Sequence, residues 1–370
     1  MEGRAALTPR TPMLDRRSLA ALMTLATLTA AGRAAAQNTY FPPGGDEWET
    51  VEPESVGWDA GGLSHALDLA GNLNSSGVVI LHNGRIMAER YWEIEGASLQ
   101  YTRLLQGADA EGRAIEDVAS AQKSVVALLI GIAQERGLLH LDDPVVQHLG
   151  SGWSSASSSE ERIITVRHLL SMSSGLAANM NFRAEAGTEW LYNTPAYHRL
   201  MPMLEAITGE DRNSITNEWV TRALGMSSSS WTTRGGDPRI AWGFSTTARD
   251  LARFGLMVLA EGRWGDQVVV GDTDYLREML SPSQSLNPAY GYLWWLNGQT
   301  FSLRGNGTRG VGPLISEAPA DLVAMQGALT RKLYLVPSLG LVVARLGDNG
   351  NADGVSFNQA FWQALIQARR

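Results

Sequence analysis

The sequence contains no cysteine among its 370 residues. This absence excludes a disulfide scaffold, a thiolate nucleophile and any cysteine-ligated metal site. Lysine is nearly absent too, because only two of the 30 basic residues are lysine, Lys123 and Lys332. Arginine supplies positive charge elsewhere but cannot lose its proton at any useful pH, whereas a desolvated lysine can. The use of lysine at position 123 therefore suggests deprotonation chemistry there.

Long apolar runs are absent except for one near the N-terminus. This run, residues 19–31, follows Arg16-Arg17 and precedes the small-residue stretch Arg33-Ala34-Ala35-Ala36. The pattern is typical of a secretory signal peptide, and the run is too short to span a bilayer comfortably. We therefore predict a signal peptide over residues 1–36, export to the periplasm or the medium, and no membrane insertion. The paired arginines fit the twin-arginine route, with a general secretory signal as the alternative.

The net charge of the chain indicates which classes of binding partner are poor candidates. The formal net charge is −8, and removal of residues 1–36, which hold five arginines and two acidic residues, makes the remaining chain more acidic. An acidic exported protein is a poor candidate for binding nucleic acid or an anionic membrane. The hydrophobic content of 44% allows a large core in one or two lobes. The sequence leaves the oligomeric state open.

A serine and a lysine stand three residues apart at the start of an apolar segment, residues 118–130. Beyond Lys123 this segment is apolar nearly all round, which indicates a buried helix. Residues three apart lie on one helix face, so the Ser120 hydroxyl and the Lys123 amine can come within hydrogen-bonding distance. This arrangement suits a nucleophile with its own base. Chance is the alternative explanation, because serine is common and a short motif needs structural context.

A second candidate is the turn Tyr192-Asn193-Thr194, which precedes a predicted helix. A phenol pKa near 10 is too high for a base at neutral pH, but a nearby ammonium stabilises the phenolate. We therefore expect Tyr192 to pass a proton if it lies beside Lys123; the alternative is a tyrosine that merely caps its helix. His82 and His168 are interpreted as an ordinary strand residue and a hydrogen-bonded core residue.

The order of predicted elements indicates an α/β (α+β) protein with an antiparallel sheet flanked by helices. Asn83-Gly84 predicts a hairpin turn between strands at residues 78–82 and 85–92. Residues 138–235 have few strand candidates and are predicted to form an inserted helical domain, leaving residues 37–137 and 236–370 as the sheet domain. The other predicted helices are 61–73, 245–262 and 357–368, and the other predicted strands are 290–296, 322–326, 332–336 and 341–346.

Three separated motifs resemble those of serine β-lactamases and penicillin-recognising enzymes. They are Ser120-x-x-Lys123, Tyr192-Asn193-Thr194 after Leu-Leu-Ser-Met-Ser-Ser-Gly, and a late strand that ends Met325-Gln326-Gly327-Ala328. The chain is most similar to the branch that contains class C β-lactamases, esterases and 6-aminohexanoate-dimer hydrolase, and to the last of these from about Phe41 to Trp362. The resemblance implies a β-lactamase/transpeptidase-like fold.

The resemblance also implies roles for particular residues. Ser120 resembles the acylated nucleophile, Lys123 the residue that takes its proton, and Tyr192 the residue that protonates the leaving group. The resemblance implies that the backbone N–H groups of Ser120 and Ala328 form the oxyanion hole and that Gly327 leaves room for the substrate. Thr194 occupies the position of a substrate-binding asparagine or serine. No cofactor or metal is implied.

One departure from the family pattern bears on the substrate. Two residues before the late-strand glycine the family usually has a cationic or histidine residue, and this chain has Met325. A thioether cannot bind the carboxylate that β-lactams and peptidoglycan stems present. Arg331 and Lys332 lie beyond the following turn, so we do not expect them to replace that cation.

We therefore expect an exported serine hydrolase that cleaves a small amide or ester through an acyl-enzyme. The sequence lacks both a Gly-x-Ser-x-Gly nucleophile elbow and a His-Glu-x-x-His zinc helix, so other common hydrolase designs are excluded. Two alternatives stay open: a β-lactamase or DD-peptidase, and a catalytically silent relative that only binds a ligand.

Overall fold

The structure, a computed structural model, describes residues 39–234, 241–351 and 354–370. The predicted signal peptide, residues 1–36, lies outside the described residues. The described strands are β1 Ser75–His82, β2 Arg85–Tyr91, β3 Leu105–Ala108, β4 Ala114–Asp117, β5 Ser230–Thr233, β6 Trp242–Thr246, β7 Arg263–Trp264, β8 Gln267–Val268, β9 Trp295–Leu296, β10 Phe301–Leu303, β11 Arg309–Val311, β12 Val323–Gln326, β13 Lys332–Val336 and β14 Leu341–Gly347.

The described α-helices range from single turns to four turns. They are α1 Ala60–Asn72, α2 Leu99–Leu104, α3 Gln122–Glu135, α4 Val145–Leu149, α5 Ser158–Glu161, α6 Val166–Leu170, α7 Thr194–Tyr197, α8 Leu200–Thr208, α9 Arg212–Thr216, α10 Arg222–Leu224, α11 Ala248–Leu259, α12 Thr273–Met279 and α13 Phe357–Gln367. Short 3₁₀ turns lie at Pro53–Val56, Ala119–Ala121, Ala328–Thr330 and Pro337–Leu339, and a π-helical turn at Asn217–Thr221.

A six-stranded antiparallel sheet forms the centre, in the order β2-β1-β14-β13-β12-β9. The first hairpin turns at Asn83 and Gly84, both of which have positive φ, as the Asn-Gly signal predicts. β1 pairs with β14 on its other side, so the first and last strands of the sheet in the sequence are neighbours. A smaller sheet has the order β3-β4-β6-β5, and β4 leads directly into the turn that holds Ser120.

Helices cover both faces of the central sheet. On one face, α11 packs closely on β13 and β14, because a Cβ at Gly255 would lie 2.8 Å from Leu333 Cδ1 and from Val342 Cγ1. On the other face, α1 packs against α13, and the Trp362 and Tyr334 rings meet edge to face with centroids 5.4 Å apart. The predicted antiparallel sheet flanked by N- and C-terminal helices is confirmed.

Two element boundaries were predicted wrongly. Residues 290–296 were predicted as a strand, but only Trp295–Leu296 is extended and Leu293 has a φ of +59°. The aromatic residues there are buried without forming one continuous strand: Tyr290 packs edge to face on Trp295, and Tyr292 packs on Tyr275. Residues 245–262 were predicted as one helix, but Thr247 caps the helix at its N-terminus and Trp242–Thr246 is β6, paired with β4 and β5. The β3–β4 hairpin was not predicted at all.

Residues 138–235 contain α4 to α10 and one strand, β5. Residues Tyr40–Arg370 group into a single compact unit, so the division into a sheet domain and a helical domain stays a prediction. Within the described residues, no helix combines the length and the apolar composition that crossing a bilayer requires.

A buried ion pair joins the two sheets. Glu116 of β4 and Arg331, just before β13, are both fully buried, and Arg331 Nε donates to Glu116 Oε2 at 2.9 Å. The same carboxylate accepts hydrogen bonds from the Gly347 N–H at 3.0 Å, from the Tyr101 hydroxyl at 3.1 Å and from the Ser76 hydroxyl. Every partner of the carboxylate is thus supplied by a different element.

We expect Glu116→Ala to lower the free energy of unfolding by about 3–5 kcal/mol, because the Arg331 charge would stay buried without its partner. The control is Glu49→Ala, which removes an exposed pair with Arg85 and should cost less than about 1 kcal/mol. Urea unfolding followed by tryptophan fluorescence measures both values. Equal losses for the two variants would show that the buried pair has no special structural role.

Candidate active site

Ser120 lies in a 3₁₀ turn, Ala119–Ala121, between β4 and α3. Two hydrogen bonds fix the backbone that leads into this turn. The Val118 N–H donates to the Phe244 carbonyl of β6 at 2.8 Å, and the Ala119 N–H donates to Asp117 Oδ1 at 2.8 Å. Ala119 has a φ of +52°, an uncommon conformation for alanine that these contacts hold in place. The backbone at Ser120 is therefore held in one conformation.

Lys123 is buried directly behind the serine. Its Nζ lies 3.0 Å from Ser120 Oγ, and only 2% of the residue is exposed, because α3 is buried from Gln122 to Ala133. Among the described residues, no carboxylate lies within ion-pair distance of Nζ. Burial, with the positive charge of Arg234 as a second cause, lowers the Lys123 pKa to about 7. A neutral amine that can accept a proton is therefore well populated at neutral pH.

Tyr192 lies against the same amine. Lys123 Nζ is 4.7 Å from the centre of the Tyr192 ring. Burial raises the pKa of Tyr192 to about 12, although a hydrogen bond with the Ser120 side chain opposes this shift. The expectation that the ammonium would stabilise a phenolate is therefore wrong, because desolvation outweighs the field of an amine that is itself easily deprotonated. Tyr192 is a neutral phenol that can donate a proton.

Asn193 and three aromatic residues hold Tyr192 in this position. The buried Asn193 side chain donates to the carbonyls of Leu176 and Ala177 at 2.7 and 3.1 Å and accepts from the Ala196 N–H at 3.1 Å. The Trp295 ring stacks on Tyr192 with a centroid distance of 5.9 Å. Trp190 and Tyr290 pack at the edges of this pair. Thr194, the predicted substrate-binding residue, is the first residue of α7 and is half-buried.

The end of β12 forms the opposite wall. Gly327 is extended, with φ −121° and ψ 163°, and a Cβ there would collide with the Val118 carbonyl oxygen. Only glycine therefore allows the strand to approach the Ser120 turn this closely. Among the described residues, neither the Ser120 N–H nor the Ala328 N–H donates to a protein acceptor. Both donors remain free for an oxyanion, and this role stays a prediction.

The structure shows which groups Arg331 and Lys332, the two cations that follow Met325, contact. Met325 is fully buried, Arg331 is bound to Glu116, and Lys332 Nζ donates to the Gln326 side-chain oxygen at 2.7 Å. Arg331 and Lys332 are therefore engaged elsewhere, as expected. Across the described residues, no group of three or more His, Cys, Asp or Glu side chains is arranged to hold a metal ion.

Sequence reasoning missed several polar side chains that surround Lys123. Arg234 donates to both Asp117 carboxylate oxygens at 2.6 Å and to Gln122 Oε1 at 3.0 Å. Gln122 Nε2 donates to the Tyr197 hydroxyl at 3.0 Å, and the Tyr197 ring centre lies 4.8 Å from Lys123 Nζ. Arg234 is more than 100 residues from Lys123 in the sequence, so no spacing motif could reveal this contact.

Comparisons with known proteins bear on the family and the fold of the chain. The sequence pattern of the beta-lactamase family matches residues 66–347. An uncharacterized protein of Alkalihalophilus pseudofirmus is 25% identical over 312 residues, which is 77% of this chain and 87% of that protein. A provisionally named beta-lactamase from Bacteroides dorei has a similar structure, with a TM-score of 0.63 and 19% identity over 84% of this chain and 99% of that one.

A second solved structure comes from Bacillus anthracis and carries the provisional name 6-aminohexanoate-dimer hydrolase. Its TM-score is 0.62, with 15% identity over 89% of this chain and 88% of that one. At these identities the two structures establish the fold alone. The family pattern covers most of the sequence, including Ser120, Lys123, Tyr192 and Gly327, and on that basis the chain belongs to the beta-lactamase family of serine hydrolases.

Proposed function

We propose that this protein is an exported serine hydrolase that cleaves a small amide or ester bond through an acyl-enzyme on Ser120. The observation that carries the proposal is the 3.0 Å contact between Lys123 Nζ and Ser120 Oγ. The amine that makes it is buried, and no carboxylate in the part of the chain that the structure describes pairs with it. An amine held in this way is a base that can activate a hydroxyl.

In the first half-reaction Ser120 Oγ attacks the substrate carbonyl and its proton passes to Lys123. The negative charge that develops on the carbonyl oxygen is bound by the N–H groups of Ser120 and Ala328, each worth a few kcal/mol to the transition state. Tyr192 then donates its phenolic proton to the leaving amine or alcohol, and Lys123 can return a proton to Tyr192. The carbonyl carbon is left bonded to Ser120.

In the second half-reaction a water molecule attacks the acyl-enzyme. The water loses a proton to the Lys123–Tyr192 pair, and Ser120 Oγ regains a proton as the acid product leaves. The same groups therefore serve both half-reactions with their proton-transfer directions reversed.

The substrate is proposed to lack a carboxylate next to the scissile bond. The late strand offers the buried Met325 where a carboxylate-binding cation would stand, and the two following cations, Arg331 and Lys332, are engaged with Glu116 and Gln326. The likeness to a structure named 6-aminohexanoate-dimer hydrolase supports an amide substrate. The export route depends on the predicted signal peptide.

Ser120→Ala should reduce kcat/KM by roughly 10⁴-fold or more, because the nucleophile is lost. The assay is a panel of p-nitrophenyl esters, short amides and nitrocefin, combined with mass spectrometry after treatment with a fluorophosphonate. The wild type should gain one adduct on Ser120. The matched control is Ser124→Ala on the same helix, whose hydroxyl bonds the Leu293 carbonyl at 2.7 Å; it should keep both activity and adduct.

Each other result of this panel has a defined meaning. Efficient turnover of nitrocefin would instead indicate a β-lactamase. Folded wild-type protein that gains no adduct and hydrolyses nothing would indicate a relative that only binds a ligand.

The pH profile should report the protonation of Lys123. Burial lowers its pKa to about 7, and only the neutral amine accepts the serine proton, so kcat/KM should rise with pH and reach half its plateau near pH 7. Because burial raises the Tyr192 pKa to about 12, activity should not fall again until strongly alkaline pH. A rate that is already maximal at pH 5 would contradict Lys123 as the base.

A further inference from the structure

Arg234 lies in a clamp built from three separate parts of the chain. Its guanidinium makes two 2.6 Å hydrogen bonds to Asp117 at the end of β4 and one 3.0 Å hydrogen bond to Gln122 at the start of α3. Gly243 of β6 makes room for the pair, because a Cβ there would collide with the Asp117 carboxylate and lie 2.7 Å from Arg234 Nε. The guanidinium is therefore fixed both in position and in orientation.

The clamp is connected to both catalytic candidates. Asp117 Oδ1 also accepts the Ala119 N–H at 2.8 Å, immediately before Ser120. Gln122 links Arg234 to the Tyr197 hydroxyl, and the Tyr197 ring packs on Lys123 Nζ. The Asp117 side chain is 1% exposed and the Arg234 side chain 19% exposed, so water screens this pair only in part.

Among the described residues, the two tyrosines and the histidine near Lys123 are uncharged at neutral pH. Burial raises the pKa of Tyr192 to about 12 and raises that of Tyr197 further. His198, which follows α7, is neutral because burial and the nearby Lys123 lower its pKa to about 3. After burial, the positive charge of Arg234 is the second cause that lowers the Lys123 pKa. Asp117, bound to Arg234 at 2.6 Å, carries the opposite charge and should weaken that field.

We propose that Arg234 is a positioning residue for the hydrolysis proposed above: held by Asp117 and Gln122 one contact away from the groups that pack on Lys123, its fixed positive charge adds to burial in favouring the neutral amine that accepts the Ser120 proton. The inference rests on the proposed function for its catalytic consequence, but the electrostatic link between Arg234 and Lys123 does not require any substrate. A guanidinium suits this task because it cannot itself lose a proton.

The two members of the clamp should act on Lys123 in opposite directions. Arg234→Gln removes a positive charge and leaves Asp117 unbalanced, so the ammonium form of Lys123 is favoured and its pKa rises. Asp117→Asn removes the opposing negative charge and keeps one carbonyl oxygen for the Ala119 N–H, so the Lys123 pKa falls. A clamp with a purely structural role would weaken activity in both variants without opposite shifts.

The pKa can be measured directly because the chain contains only two lysines. NMR titration of protein labelled with ¹³Cε-lysine gives two side-chain signals, which a Lys332→Arg variant assigns. Lys332 is also buried but contacts Gln326 and lies near Arg345, so its pKa serves as an internal control that should stay constant in every variant. We expect the Lys123 pKa to rise by about one unit or more in Arg234→Gln.

In Asp117→Asn the Lys123 pKa should fall. Arg234→Lys keeps the charge and should leave the pKa close to the wild-type value, so it tests the charge even if Asp117→Asn does not fold. Once a substrate is found whose hydrolysis depends on Ser120, the pH at which kcat/KM reaches half its plateau should shift with the Lys123 pKa measured by NMR in each variant. An unchanged Lys123 pKa in folded Arg234→Gln would overturn the proposal.

The two proposals fail separately. If Ser120 is neither acylated nor needed for any hydrolysis, the proposed function fails while the NMR titration still decides whether Arg234 controls Lys123. If hydrolysis depends on Ser120 and the Lys123 pKa follows neither Arg234 nor Asp117, the proposed function stands and only the present inference is lost.

Discussion

The candidate site depends on the Lys123 amine, which is buried beside the Ser120 hydroxyl with no carboxylate of the described residues within ion-pair distance. A protonated lysine is costly to hold in a protein interior, so burial of Lys123 favours its neutral form. The 3.0 Å contact then places an amine that can accept a proton beside the Ser120 hydroxyl. Burial of the apolar side chains of α3 on either side of Lys123 stabilises the fold and offsets the free-energy cost of burying the amine.

The remaining walls of the site exist because backbone segments approach one another closely. β12 reaches the Ser120 turn only because Gly327 has no side chain to strike the Val118 carbonyl. The Glu116–Arg331 pair joins the small sheet to the central sheet just beyond this point and so fixes the distance between them. Tyr192 arrives from a distant loop whose position is set by Asn193 and the stacked Trp295 ring. The geometry of the candidate site is thus set by ordinary packing contacts.

Much of the fold could be predicted from the sequence because its signals are local. The Asn83-Gly84 turn, the short apolar runs of β13 and β14 and the C-terminal helix each depend on neighbours along the chain. The errors came where burial depends on distant contacts. The aromatic residues at 290–296 have the composition of a strand, yet two of the four, Tyr290 and Trp295, pack around Tyr192 instead. β3 and β4 have four residues each, which is too few to give a clear pattern.

The sequence by itself determined that a serine and a lysine share one helix face, that a tyrosine turn and a late-strand glycine follow in order, and that a cation is missing at Met325. These are relations between residue types and spacings, and a helical turn is the same wherever it occurs. Only the tertiary structure decided which pKa shifts result and that Arg234, Asp117 and Gln122 surround the amine. Desolvation and charge fields depend on groups brought together from distant parts of the chain, and sequence spacing carries no record of them.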